Sequence, residues 1–288
     1  MKIVTHSGMF HADDIFAVAT ALLVFPDAEV IRTRDPKIID KADMVIDVGM
    51  EYNPTVYRFD HHQEGGAGIR PNGVPYASFG LVWKEFGERL AHEGKDVIEE
   101  KLVQPVDAPD NGTSIYNPVF DGVEPYTIRE FFYSYLSYED RSEEHIYEVF
   151  MQVVGVAKDL LEREITKAEE RVASMKEVRT ILNNTSDKRI IVLDKDLAWE
   201  PVLAPVPEAM FVVYPRKEGN WGTKGVPKKV FGFERKKLFP FAWAGKSGKE
   251  LQEISGVKDA AFCHLGRFIV TANTKEGAVA LAEKALSA

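Results

Sequence analysis

The sequence predicts an α/β protein. Its first domain is built on a largely parallel sheet flanked by helices, and a smaller α+β domain follows. Three observations predict this. Short β-branched runs alternate with helix-period segments through the first 110 residues. The chain of 288 residues exceeds the usual span of one domain. Beyond residue 188, strand-like runs follow one another and a single amphipathic segment closes the chain.

The elements follow in order. KIVT (Lys2–Thr5) reads as a buried strand. Residues 13–25 place Ile15, Phe16, Val18, Leu22 and Leu23 at helical spacing. AEVIRTR (28–34), DMVIDVG (43–49) and VYRF (56–59) read as three further strands. EGGAGIRPNGVP (64–75) is rich in Gly and Pro and predicts a mobile loop. Residues 76–90 and 97–103 carry helical patterns, and VDAPDNG (106–112) predicts a turn bearing two acids. Residues 143–176 form a long, polar, helical stretch. The turn at 183–188 (NNTSDK) sets the boundary between a first domain of residues 1–185 and a second of 186–288. There, RIIVLD (189–194), AMFVVYP (209–215) and KVFGFERK (229–236) read as strands, AAFCHLGRFIVTA (260–272) as a hairpin and 275–286 as a closing helix. No internal repeat is present.

Composition narrows the compartment and partners. A single cysteine, Cys263, excludes an intrachain disulfide and suits a reducing compartment. The N-terminal segment meets charge too early for a signal peptide, and no run approaches the roughly 18–20 apolar residues of a membrane span. A soluble cytoplasmic protein, with no membrane partner, is the expectation. The net charge of −9 argues against indiscriminate binding of nucleic acid, yet residues 214–249 hold ten Lys/Arg against two Glu.

Polar, metal-competent residues gather where strands end. THSGMFHADD places His6, His11, Asp13 and Asp14 at a strand-to-helix turn, where imidazole nitrogen and carboxylate oxygen suit transition metals and where an Asp also caps a helix. Asp47 interrupts an apolar strand, which requires a partner or an ion. VYRF runs directly into Asp60, His61 and His62. His62 is a natural ligand, His61 a ligand or a donor to substrate oxygen, and Asp60 a ligand or an orienting partner. VDAPDNG adds Asp107 and Asp110, either of which supplies one further ligand. These clusters fall within the first 110 residues, and only His145 and His264 lie beyond them. Together they suffice for two divalent ions, Mn²⁺ first, with Mg²⁺, Co²⁺ or Zn²⁺ behind it.

The pattern resembles the DHH phosphoesterase superfamily, which includes RecJ-type exonucleases, nano-RNases and manganese pyrophosphatases. Within it, THSGMFHADD, RTRDP, DVGMEY, RFDHHQ, FGLVWKEFG and VDAPDNG resemble the melanocyte-proliferating-gene (Myg) family, and the similarity continues through VPEAMFVVYP, NWGTKGVP, ERKKLFPFAWAG and GRFIVTANTKEGA. The resemblance implies a first metal motif of His6, His11 and Asp13, a second of Asp47, a third of His62 with the rest of DHH, and a fourth of Asp107 or Asp110. The superfamily's common first motif is H-x-x-x-D-x-D. Here the spacing is one residue longer and His11 stands where Asp is usual, which bears on the choice of metal. The family is described as exonucleases that trim RNA from its 3′ end.

The expected function is therefore metal-dependent hydrolysis of RNA or single-stranded nucleic acid by a two-metal mechanism, with Asp60, His61 and Arg34 as catalytic residues. In the basic segment, cations interleave with Tyr214, Trp221, Phe231, Phe233, Phe239, Phe241 and Trp243, which either stack bases or form the core of the second domain. Lys228, Lys229, Arg235, Lys236, His264 and Arg267 are the expected substrate-binding residues. Two alternatives stand beside this: a hydrolase of small phosphoesters, dinucleotides or pyrophosphate, and a nucleic-acid-binding protein whose metal site is structural.

Overall fold

A computed structural model describes residues 1–230 and 232–288, so Phe231 lies outside the described residues. The chain forms two compact units, Met1–Glu169 and Glu170–Ala288. Each contains a five-stranded sheet.

The first unit opens with β1 (Lys2–Thr5), α1 (Ala12–Val24), β2 (Glu29–Arg32), α2 (Pro36–Ile39) and β3 (Met44–Ile46). A short β4 (Tyr52–Asn53), β5 (Arg58–Phe59) and α3 (Ser78–Ala91) follow. The strand order is β2-β1-β3-β5-β4; every pairing is parallel except that of the edge strand β4. Alternation along the strands sends side chains to two faces. Ile3, Met44, Ile46 and Phe59 join the main core with α1 and α3, where Phe16 stacks on Phe79 at 5.1 Å. Val4 and Val45 face the other way and form a smaller cluster with Ile39 of α2. Burial on both faces explains why these strands read as continuous apolar runs.

Beyond α3 come α4 (Lys95–Ile98), a π-helical turn over Glu99–Val103, α5 (Gln104–Asp110) and α6 (Ile128–Tyr133). The VDAPDNG segment is thus largely helical, not a turn. Pro105 sits at the helix start, where proline is tolerated, and the Asn-Gly pair ends the helix: Asn111 N–H donates to Asp107 O at 3.1 Å and Gly112 has φ +75°. Segment 64–75 is a loop, as expected, closed by its own hydrogen bonds. Arg70 N–H donates to Val74 O at 2.9 Å, Tyr76 N–H to Gly68 O at 3.1 Å, and the Arg70 side chain is buried.

α7 (Glu143–Asn184) contains the division between the units, and the turn at 183–188 begins within its last residues. The second unit comprises β6 (Ile190–Val192), α8 (Glu200–Leu203), β7 (Phe211–Pro215), β8 (Trp221–Gly225), α9 (Gly248–Ser255), β9 (Ala260–Cys263), β10 (Ile269–Ala272) and α10 (Lys275–Ser287). Its strand order is β6-β7-β8-β10-β9, with only β6–β7 parallel. The expected hairpin and closing helix are present. The described residues of the strand expected at 229–236 form none, Phe231 lying outside them; the sheet uses β8, WGTKG, whose glycines hid it. A Cβ at Gly225 would lie 2.7 Å from the backbone oxygen of Lys237, so chain crossing this strand leaves no room for a side chain there, while one at Gly222 would press on the Arg216 side chain at 3.1 Å.

Candidate metal centre

Three chemistry-bearing segments leave the first sheet at one edge. Because β1, β3 and β5 are parallel neighbours, His6, Asp47 and the Asp60–His62 triplet emerge side by side at their carboxyl ends. His6 Nε2 lies 3.1 Å from Asp14 Oδ2 and 3.4 Å from Asp47 Oδ2. Asp47 Oδ1 is 3.5 Å from both His61 Nε2 and His62 Nδ1, and His61 Nε2 is 3.1 Å from Asp110 Oδ2. Three trios have donor atoms within 4.8 Å of one another: His6, His11 and Asp47; Asp47, His61 and His62; Asp13, His61 and Asp110.

The two acids that open α1 divide their work. Asp14 Oδ1 accepts the His11 N–H at 2.7 Å and caps the helix. Asp13 accepts the N–H groups of Ser78 at 3.0 Å and Phe79 at 2.7 Å, so the positive end of α3 holds this carboxylate. Asp14 thus caps α1, whereas Asp13 lies in one of the donor trios. Asp60 Oδ1 contacts His62 Nδ1 at 2.7 Å and accepts His62 N–H at 3.1 Å, while Oδ2 accepts Met50 N–H at 2.6 Å. Asp107 is clamped by Gly80 N–H at 3.1 Å and Arg70 Nη2 at 2.7 Å. Asp110, one turn later, reaches His61 instead. Arg34 is exposed on the wall of the same cleft, with its Nε 3.4 Å from Ser7 O.

Several supporting residues carried no sequence signal. Ser78 Oγ donates to Asp47 Oδ1 at 3.1 Å, Arg32 Nη2 to Gly8 O at 2.9 Å, and Arg70 ties Asp107 to Glu99. Gly80 offered a hint, since glycine in the first turn of a helix usually marks a close approach.

Carboxylates and imidazoles crowd together in the cluster and perturb one another. Burial alone would lower the His6 pKa, but the Asp14 and Asp47 carboxylates outweigh it and raise it from 6.5 to about 10. His61, likewise buried, is raised to about 11 by Asp110 and Asp47. Asp13 is pushed well above the usual range by burial and then by the Asp47, Asp110 and Asp107 charges. Burial also raises Asp107, to about 7, against the pull of Arg70. Burial opposes ionisation of Asp47 too, yet His6 and His61 hold its pKa below the normal range. His6 Nε2, His61 Nε2, Asp14 Oδ2 and Asp47 Oδ2 are buried without a hydrogen-bond partner, because their close contacts are misaligned. Buried, converging, unsatisfied nitrogen and oxygen donors fit divalent cations.

The expected substrate residues of the second unit differ in availability. Lys236 Nζ is committed to the carbonyls of Leu203 and Val206. Arg235 is largely buried beside Glu200, and Lys228 pairs with Glu234. Lys229 is exposed. His264 Nδ1 accepts Gly266 N–H at 2.9 Å, and Arg267 lies 5.4 Å from the ring of exposed Phe241. Among the aromatics, Phe239 and Trp243 join the core by stacking from Phe211, Trp221 and Tyr214 are partly buried, and Phe233 is exposed.

The fold and site define an α/β protein whose parallel sheet presents a buried His/Asp cluster compatible with divalent metal. The sequence model MYG1_exonuc, described as Uncharacterised protein family (UPF0160), matches residues 2–286, and the chain belongs to that family. It is 29% identical to a Mus musculus protein named MYG1 exonuclease, over 99% of this chain and 85% of that one. The corresponding figures for the Homo sapiens MYG1 exonuclease are 29%, 99% and 86%. A Chlamydia trachomatis MYG1 protein is 28% identical over 94% and 92% of the two chains. A crystal structure of an uncharacterized Helicobacter pylori G27 protein aligns over 95% and 94% at 11% identity and a TM-score of 0.29, a likeness too slight to bear on the fold.

Proposed function

We propose that the protein is a metal-dependent exonuclease of the DHH phosphoesterase type, hydrolysing RNA with two divalent ions, Mn²⁺ the preferred metal. One observation carries this: Asp47 is a buried carboxylate whose two oxygens face different donors. Oδ2 faces His6, and Oδ1 faces His61 and His62. Asp47 with His6 and His11 would hold one ion, and Asp13, His61 and Asp110 would hold another beside it. When bound, such ions activate water and neutralise charge on a phosphodiester.

The chain's own groups complete the chemistry. Asp60 occupies His62 Nδ1, which leaves Nε2 of this half-exposed ring to meet substrate. On this reading His61 would serve the metal and His62 the substrate, whereas the sequence put His62 with the metal and left His61 as a ligand or a donor to substrate. Asp60 then acts by orienting His62, and Asp107 by fixing the start of α3 through Gly80. Arg34 supplies positive charge to the phosphate from the cleft wall. In hydrolysis, water adds to phosphorus, the bond to the leaving oxygen breaks, and that oxygen takes up a proton. Lys229, His264 and Arg267, with Phe241, are proposed to hold the single strand.

The test is a substrate panel with Mn²⁺: single-stranded RNA, the matching DNA, a diribonucleotide and pyrophosphate. Stepwise shortening of RNA, abolished by chelation without unfolding and lost in Asp47→Asn, supports the proposal. Cleavage of the small substrates alone, or unfolding on chelation, rejects it in favour of the small-phosphoester or structural-metal alternatives.

A further inference from the structure

His6, His11, Asp47, Asp60 and His62 of the metal-competent cluster line a cleft of about 570 Å³. The rest of its lining is a largely apolar wall of Pro36, Ile39, Val48, Gly49 and Met50, with Arg34 and Asp40 as its charged members. This wall has a specific origin. Asp47, Gly49 and Met50 have φ values of +56°, +97° and +58°, so one short turn after β3 holds three left-handed residues. That conformation is uncommon for residues other than glycine and persists only where the surroundings enforce it. Asp60 Oδ2 enforces it by accepting the Met50 N–H at 2.6 Å. The same turn thus aims Asp47 into the cluster and leaves Met50 60% exposed.

We infer that this wall is a shelf for the nucleoside of the chain-terminal nucleotide. The inference rests on the function proposed above and deepens it. A phosphate at the His/Asp wall places its attached sugar and base within the cleft, where aliphatic and thioether groups pack against a flat ring without selecting its edge pattern. Arg34, which makes no ion pair among the described residues, is the complementary charge for that phosphate. Asp40 repels a second phosphate in the cleft, which favours an end nucleotide over an internal one. The shelf therefore takes any nucleoside monophosphate, with little preference among bases.

Calorimetric titration of the manganese-loaded protein with adenosine 5′-monophosphate and with ribose 5-phosphate isolates the contribution of the base. Adenosine monophosphate is expected to bind tighter by about tenfold or more. Ile39→Ser with Met50→Ala should bring the two ligands within about threefold, whereas Met50→Leu should keep the preference. Equal binding of the two ligands by the wild-type protein, or an undiminished preference in the double variant, overturns the shelf. Failure of the wild-type protein to bind manganese or shorten RNA overturns the underlying function instead. Manganese content and RNA hydrolysis by the wild-type protein therefore separate the two failures.

Discussion

Gly80→Ala should destabilise the protein, although Gly to Ala within a helix normally does the reverse. The added Cβ would lie 1.9 Å from Asp107 Oδ2, 2.5 Å from Arg70 Nη2 and 2.9 Å from Asp107 Cγ. Asp107 is fully buried and Arg70 nearly so, which leaves little room to yield. Asp107 must turn away, giving up the Gly80 N–H and the Arg70 guanidinium together. Breaking a buried ion pair costs about 3–5 kcal/mol. Alanine returns up to about 1 kcal/mol in helix propensity. The net loss is then roughly 2–4 kcal/mol, a fall in Tm of roughly 5–15 °C for a unit of this size. Gly155→Ala is the control: this exposed glycine of α7 has nothing within 4 Å of its Cβ position, and alanine there should stabilise by roughly 0.5–1 kcal/mol. Urea and thermal denaturation measure both variants. A Gly80→Ala protein as stable as wild type, with Gly155→Ala behaving as expected, would refute the clamp.

Asp47→Asn should lower manganese content by plasma emission, and RNA hydrolysis by more than the roughly 10–100-fold typical of outer-shell partners. His61→Ala should reduce bound manganese, whereas His62→Ala should retain it and lose turnover; equal manganese loss in both would contradict the division of roles. In the metal-free protein, His6 and His61 have folded-state pKa values above the 6.5 of a free imidazole. Their contribution to stability is full below pH 6.5 and is lost as pH rises through about 10 and 11, so urea midpoints should fall across that window. Manganese affinity should run the opposite way, rising with pH as these rings shed protons, which calorimetry in buffers of different ionisation enthalpy detects. Arg267→Ala should weaken RNA binding and reduce the salt slope by about 1, while Lys236→Ala should lower stability and leave that slope unchanged.

The first sheet was legible because parallel strands buried on both faces write themselves as β-branched runs, and their carboxyl ends then located His6, Asp47 and the Asp60 triplet. The division of labour within motifs was not legible. Asp13 and Asp14 are adjacent and chemically identical, yet one holds to the start of α3 and the other caps α1. Asp107 and Asp110 separate for a similar reason: they lie one turn apart on a helix face, and only the three-dimensional approach of Gly80 and Arg70 claims the first. β8 was hidden because its glycines answer to neighbouring chain rather than to strand propensity. Lys236 looked available in a basic segment, but its ammonium turns inward to two carbonyls. Sequence spacing therefore found the neighbourhood of the candidate site, and packing decided what each side chain does there.

Anomalous diffraction from manganese-loaded crystals tests the central claim most directly. Two peaks, one beside Asp47, His6 and His11 and the other beside Asp13, His61 and Asp110, are the predicted result. No peak at this edge of the sheet, or a single ion bound without Asp47, would contradict it.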